Sequence, residues 1–127
     1  MRLLLDTNIL IGLTPRGLAA LDPAARQLVE NPDNASFASA ASLWEIAIKT
    51  RLGKLDLGLH PGDFVDFLDG IGVSLLAISH RHVLADVEPA PAKRDPFDRL
   101  LLAQCAVEDL LLVTMDRVLS RHPLAWR

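Results

Sequence analysis

The sequence predicts an α/β fold, a three-layer α/β/α arrangement around a short parallel sheet. Three observations lead there. Leu3-Leu4-Leu5 and Leu110-Leu111-Leu112-Val113 are apolar without alternation, as strands covered on both faces are. Strand-like and helix-like stretches alternate along the chain. The 127 residues, half of them apolar, suit one core-bearing unit, so 1–127 reads as a single domain.

Each element has a local reason. Residues 2–6 form the first strand, and a helical stretch follows, broken near residues 15–17 by Pro and Gly. Asp22 and Pro23 are an N-cap and a first-turn proline, opening a helix to about residue 30 that stops before Asn31-Pro32. Residues 35–38 read as a weak second strand. Ser39 caps a helix through residue 51, closed by Gly53. A short helix over 63–69 ends at Gly70, and 73–78 is strand-like. Ser79 caps another short helix, and 88–91 is a proline-containing loop. Asp95-Pro96 opens a strong helix to about residue 108. Residues 110–113 form a buried strand, 115–120 a helical turn, and 124–126 a last edge strand.

Composition excludes several classes. With 13 Lys+Arg against 16 Asp+Glu the net charge is −3, unlike a protein held to nucleic acid by bulk charge. The single Cys105 excludes an intramolecular disulfide framework and a multi-thiolate zinc site, and it suits a reducing compartment. The longest uncharged run, 35–44, is far below the ~20 residues of a membrane helix. Asp6 cuts the N-terminal apolar run too early for a signal-peptide core. A soluble, cytoplasmic protein is expected.

Four acids stand out. Asp6 and Asp116 each follow a buried strand, and parallel strands place both on one rim, where ligands of such sheets bind. Glu45 lies in Ser42-Leu-Trp-Glu-Ile-Ala-Ile-Lys49, a helix apolar on most sides, which predicts burial. It either pairs with Lys49 at i,i+4 or faces a cleft, and the sequence leaves both open. In Asp95-Pro-Phe-Asp98-Arg99, Asp95 is the natural N-cap, and Asp98 falls at the third helical position. Each acid has a local explanation as a cap or an ion pair. Their joint placement has none. Four converging carboxylates resist ionising together, and a divalent cation relieves that conflict. Oxygen ligands suit Mg²⁺ or Mn²⁺.

Leu-Leu-Leu-Asp6-Thr-Asn-Ile-Leu, Ser-Leu-Trp-Glu45-Ile-Ala-Ile-Lys, Asp-Pro-Phe-Asp98-Arg-Leu-Leu-Leu-Ala-Gln and Leu-Val-Thr114-Met-Asp116 together resemble the PIN-domain ribonucleases. The likeness is closest to the VapC-type toxins of bacterial toxin–antitoxin pairs. It covers essentially the whole chain, with four blocks in the family's order. One departure is Ala92-Lys93-Arg94, where many relatives carry a His before the third block. The resemblance implies metal-dependent endoribonuclease activity and carries the catalytic acids to Asp6, Glu45, Asp98 and Asp116. It implies that Asp6 and Asp98 hold Mg²⁺, with Asp116 assisting and Glu45 orienting water. It also implies an RNA substrate, a cognate antitoxin and a homodimer. Thr7, Asn8 and Thr114 match polar positions beside the site. Setting the four acids aside turns the net charge from −3 to +1, and Lys49, Lys93, Arg94, Arg99 and Arg117 are near enough in sequence to meet phosphates. His60, His80, His82 and His122 all lie outside the motifs.

Three other readings compete. A haloacid-dehalogenase-like phosphohydrolase needs a second Asp where Asn8 stands, and it is a longer fold. A receiver domain needs a Lys after its last strand that is missing here. A degenerate PIN-fold module that only binds a protein partner would not be expected to keep all four acids.

Overall fold

The computed structural model describes residues 1–91 and 95–127. Four parallel strands form one sheet in the order β3-β2-β1-β4: β1 (Arg2–Leu5), β2 (Ala35–Ser39), β3 (Val73–Leu76) and β4 (Leu111–Val113). The helices are α1 (Thr7–Gly12), α2 (Pro23–Glu30), α3 (Ala40–Arg51), α4 (Phe64–Gly70), α5 (His80–Leu84) and α6 (Pro96–Glu108). Short 3₁₀ turns cover Leu18–Ala20, Pro61–Asp63 and Leu119–Arg121.

The three leucines of β1 explain the layering. Successive strand residues face opposite sides of a sheet. Leu3 and Leu5 enter a core with Ile9, Leu10, Ile46, Phe64 and Leu68, while Leu4 enters a second core with Leu101, Leu102, Leu112 and Leu119. All three leucines are completely buried. Each contributes about 1.5–3 kcal/mol relative to an exposed side chain. One core lies on each face of the sheet, giving three layers, as expected. Helix α3 feeds both, Ile46 into the first and Ala41 into the second.

The caps follow the sequence. Side chains of Asp22, Ser39 and Asp95 accept hydrogen bonds from the N–H groups of Ala24, Ala41 and Phe97 at 2.9, 3.0 and 2.8 Å. Helix α6 ends at Asp109 in the left-handed conformation, φ 57°, which Asp tolerates better than most residues.

Some boundaries need correction. The third strand stops at Leu76 rather than residue 78. The expected edge strand over 124–126 is a single parallel bridge, Leu112 to Ala125. Trp126 N–H donates to the Leu112 carbonyl and Leu112 N–H to the Leu124 carbonyl. The Leu124 N–H, which would extend the ladder, donates instead to His122 Nδ1 at 3.1 Å. The helical turn expected over 115–120 is a tighter one at Leu119–Arg121. Among the described residues no helix is long and apolar enough to cross a membrane.

Strand order reverses between β1 and β4. In open parallel sheets the crevice beyond the strands' C-terminal ends at such a switch is where ligands bind.

Candidate active site

Asp6 follows β1 at that switch. It caps α1, its Oδ1 accepting the Thr7 N–H at 2.8 Å. Its own N–H donates to the Val113 carbonyl of β4 at 2.9 Å, which ties the two strand ends together. Oδ2 accepts the Thr114 hydroxyl at 2.7 Å. The same Thr114 oxygen accepts the Asp116 N–H at 3.0 Å. Thr114 therefore holds Asp6 and Asp116 side by side, a role the sequence had not assigned. Thr7 donates its hydroxyl to Ser42 Oγ at 3.0 Å, joining α1 to α3 three residues before Glu45. Asn8 is exposed.

Asp6 is only 7 % exposed. Burial pushes its carboxyl up; Thr114 and Thr7 pull it down, and the charges of Glu45 and Asp116 add to the rise, which prevails. Asp98, at the third position of α6, is pushed up to about 7. Desolvation is the first cause, followed by the charges of Asp95, Asp6, Asp116 and Glu45. A helix N-terminus favours the ionised form by about 0.3–1 kcal/mol. Here desolvation and four like charges outweigh it.

Glu45 makes the i,i+4 pair with Lys49. Its Oε2 lies 3.5 Å from Lys49 Nζ, and its side chain is 19 % exposed. Its charge is nonetheless felt by Asp6 and Asp98. A loose, half-exposed pair of this kind stabilises by less than about 1 kcal/mol, so it holds Glu45 only weakly.

Asp116 is half-buried, and its Oδ1 accepts the N–H groups of Val118 and Leu119 at 2.8 and 3.2 Å. The structure thus gathers Asp6, Glu45, Asp98 and Asp116 into one electrostatic neighbourhood, with Asp95 beside Asp98 as the cap. Among the described residues no three His, Cys, Asp or Glu side chains form a ready-made set of metal ligands. The oxygens of Asp6 and Oδ1 of Asp116 accept hydrogen bonds from backbone N–H groups and Thr114. The donor set itself is all oxygen, the chemistry that hard divalent cations favour.

Of the cations singled out in the sequence, Arg99 and Arg117 are exposed and Lys49 is paired with Glu45. Lys93 and Arg94 lie outside the described residues. Two of the histidines are structural. His82 accepts the Ser79 N–H on Nδ1 and meets Glu108 through Nε2 at 2.8 Å. His122 accepts the Leu124 N–H on Nδ1 and meets the Pro89 carbonyl through Nε2 at 2.8 Å.

The helix α3 departs from the sequence reading. Only Ala41, Ser42 and Ile46 are fully buried, and Trp44 is 62 % exposed. Its ring meets Phe97 edge to face, centroids 5.7 Å apart. An apolar pattern on most sides of a helix does not reveal which side stays open.

A parallel sheet with acids gathered at its switch point defines an α/β domain with an acidic candidate site beyond its strand ends. The PIN domain family model matches residues 3–124, and the chain belongs to that family. It is similar to Ribonuclease VapC16 of Mycobacterium tuberculosis, 39 % identical over 69 residues. That match covers 54 % of this chain and 49 % of the relative, so it spans about half of the relative's length. The chain also resembles the crystal structure of VapBC2 from Rickettsia felis bound to a DNA fragment from their promoter. The TM-score is 0.66 at 19 % identity, covering 98 % of this chain and 96 % of that one. At that identity the likeness concerns the fold.

Proposed function

We propose that this protein is a Mg²⁺-dependent endoribonuclease, the toxin of a toxin–antitoxin pair. The observation that supports the reading is the mutual electrostatic influence of four carboxylates from four separate segments near the sheet's switch point. A cluster that raises the pKa of its own members costs stability, and a bound cation relieves that cost. Asp6, Asp98 and Asp116 would hold the ion, with Mn²⁺ as an alternative to Mg²⁺. Bound there, such an ion neutralises phosphoryl charge and favours attack by water on phosphorus.

The chain's own residues do the rest. Thr114 and Thr7 fix Asp6 before any ligand arrives, through the 2.7 and 2.8 Å hydrogen bonds. Glu45, held only loosely by Lys49, accepts a proton from the attacking water and orients it. Arg99 and Arg117 are exposed near the acids in sequence and suit RNA phosphates. The free protein acts as a homodimer. A cognate antitoxin silences it by placing a cationic side chain, such as Arg, among the carboxylates.

The test is cleavage of bulk RNA by purified protein in Mg²⁺, with chelation abolishing it. Expression of the chain alone is expected to arrest growth, and Asp6→Ala to relieve the arrest. Soluble wild-type protein that leaves RNA intact in Mg²⁺ and Mn²⁺ overturns the nuclease reading. Normal growth with such protein present overturns the toxin reading.

A further inference from the structure

The six aromatic side chains of this protein divide unevenly. Phe64, Phe67 and Trp126 belong to or pack against the first core, and Phe37 and Phe97 pack against the second. Trp44 joins neither and is 62 % exposed. Leaving the largest apolar side chain in water forgoes the burial that would stabilise the fold. Its position is informative. Trp44 precedes Glu45 on α3, and Phe97 precedes Asp98 on α6. The same helix junction that brings the two acids into electrostatic contact brings the two rings edge to face at 5.7 Å. Phe97 is itself partly buried against the second core, so it fixes the Trp44 ring from one side. The exposed indole therefore stands, as a braced, flat surface, at the helix junction that Glu45 and Asp98 share.

We propose that Trp44, braced by Phe97, is a stacking platform for a nucleobase of single-stranded RNA, adjacent to the bond that the acids cut. The proposal rests on the ribonuclease reading and adds to it a residue that positions substrate. Every base has a π-face, so an aromatic platform binds bases with little regard to sequence. The surroundings favour RNA over an apolar partner: Trp44 and Phe97 each immediately precede an acid that suits a metal and phosphate, and the exposed Arg99 follows Asp98 directly. Trp44 is a positioning residue: it holds RNA and takes no part in proton transfer.

Tryptophan fluorescence reads the contact without cleavage. In Asp98→Asn protein with Mg²⁺, a short oligoadenylate is expected to quench the emission. Inorganic polyphosphate, charged but without bases, is expected not to. Adding Trp44→Phe should remove the quenching, since Trp126 packs against the core. Trp44→Ala should weaken RNA binding and raise KM roughly 5- to 150-fold while kcat stays near wild type, with Trp44→Phe retaining most of the affinity. Absence of quenching, or an unchanged affinity and KM in Trp44→Ala, overturns the platform. A change in oligomeric mass with RNA binding unchanged assigns the ring to a second copy of the chain and also overturns it. If wild-type protein cuts RNA and Trp44→Ala cuts it with the same KM, only the platform falls. If wild-type protein cuts no RNA yet oligoadenylate quenches Trp44, the nuclease reading falls and the base contact stands.

Discussion

Two helices of this chain begin with the same dipeptide. Asp22-Pro23 opens α2 and Asp95-Pro96 opens α6, and both aspartates accept a hydrogen bond from the N–H two residues on, at 2.9 and 2.8 Å. The local chemistry is shared, but the third helical position separates them. In α2 it is Ala25, buried in the first core. In α6 it is Asp98, surrounded by four other acids. A cap thus settles where a helix starts and leaves open what its first turn does. That depends on what the rest of the fold places opposite.

Four substitutions or titrations probe the contrast. The largest effect is expected from Asp98→Asn, which keeps shape and loses charge. RNA cleavage should fall on the order of 100- to 1000-fold, while circular dichroism shows the fold intact. Cleavage near wild type would reduce Asp98 to the level of Ala25, a residue of structural value only.

The second concerns pH. The Asp98 carboxyl sits at about 7, against an ordinary 3.8. Between those values the folded chain holds a proton that the unfolded chain has released. Stability without metal should therefore fall as pH rises through that window. Screening of this half-exposed group limits the change to about 1 kcal/mol. Mg²⁺ needs the ionised form, so its affinity should rise about tenfold from pH 6 to pH 8, with proton release on binding. Calorimetric titration in buffers of different ionisation enthalpy measures both, and a flat profile would place Asp98 outside the metal's reach.

The third is Asp22→Ala, expected to cost about 1 kcal/mol by thermal melting through loss of the cap, with cleavage per folded molecule unchanged. The smallest is Asp95→Asn. Asn caps about as well as Asp, so stability should move by only a few tenths of a kcal/mol. Removing the Asp95 charge should lower the midpoint of the Asp98 titration, because that charge is the second cause of its elevation. An unmoved midpoint would show that the Asp95 charge does not contribute to it.

The same contrast explains what was legible in the sequence. Both Asp-Pro starts, the Ser39 cap and the unbroken leucines of β1 were readable because each signal is local. The four acids were readable only as a set, through their likeness to a family. Glu45 could not be decided, because an i,i+4 pair with Lys49 and a charge felt by Asp6 and Asp98 are compatible. Thr114 was seen beside the site but without a task, since its partner Asp6 lies 108 positions away. The exposure of Trp44 was missed because an apolar run predicts burial, and only the packed helices reveal the open side. The strand over 124–126 failed for a related reason: one bridge to Leu112 satisfies the local backbone, and no further partner continues it.

The Thr114 link has a consequence in time. A ribosome adds residues from the N-terminus onwards, and β1 emerges early with Asp6 at its end. Its neighbour β4, the hydroxyl of Thr114 and the carboxylate of Asp116 are made more than a hundred residues later. Contacts of such long sequence separation form only after the intervening chain exists. Until then Asp6 lacks both the clasp that aims it and the acid that shares its rim. A nascent chain therefore carries Asp6 with the site unassembled until β4 and Thr114 have been made. The topology itself postpones assembly of the site until that point.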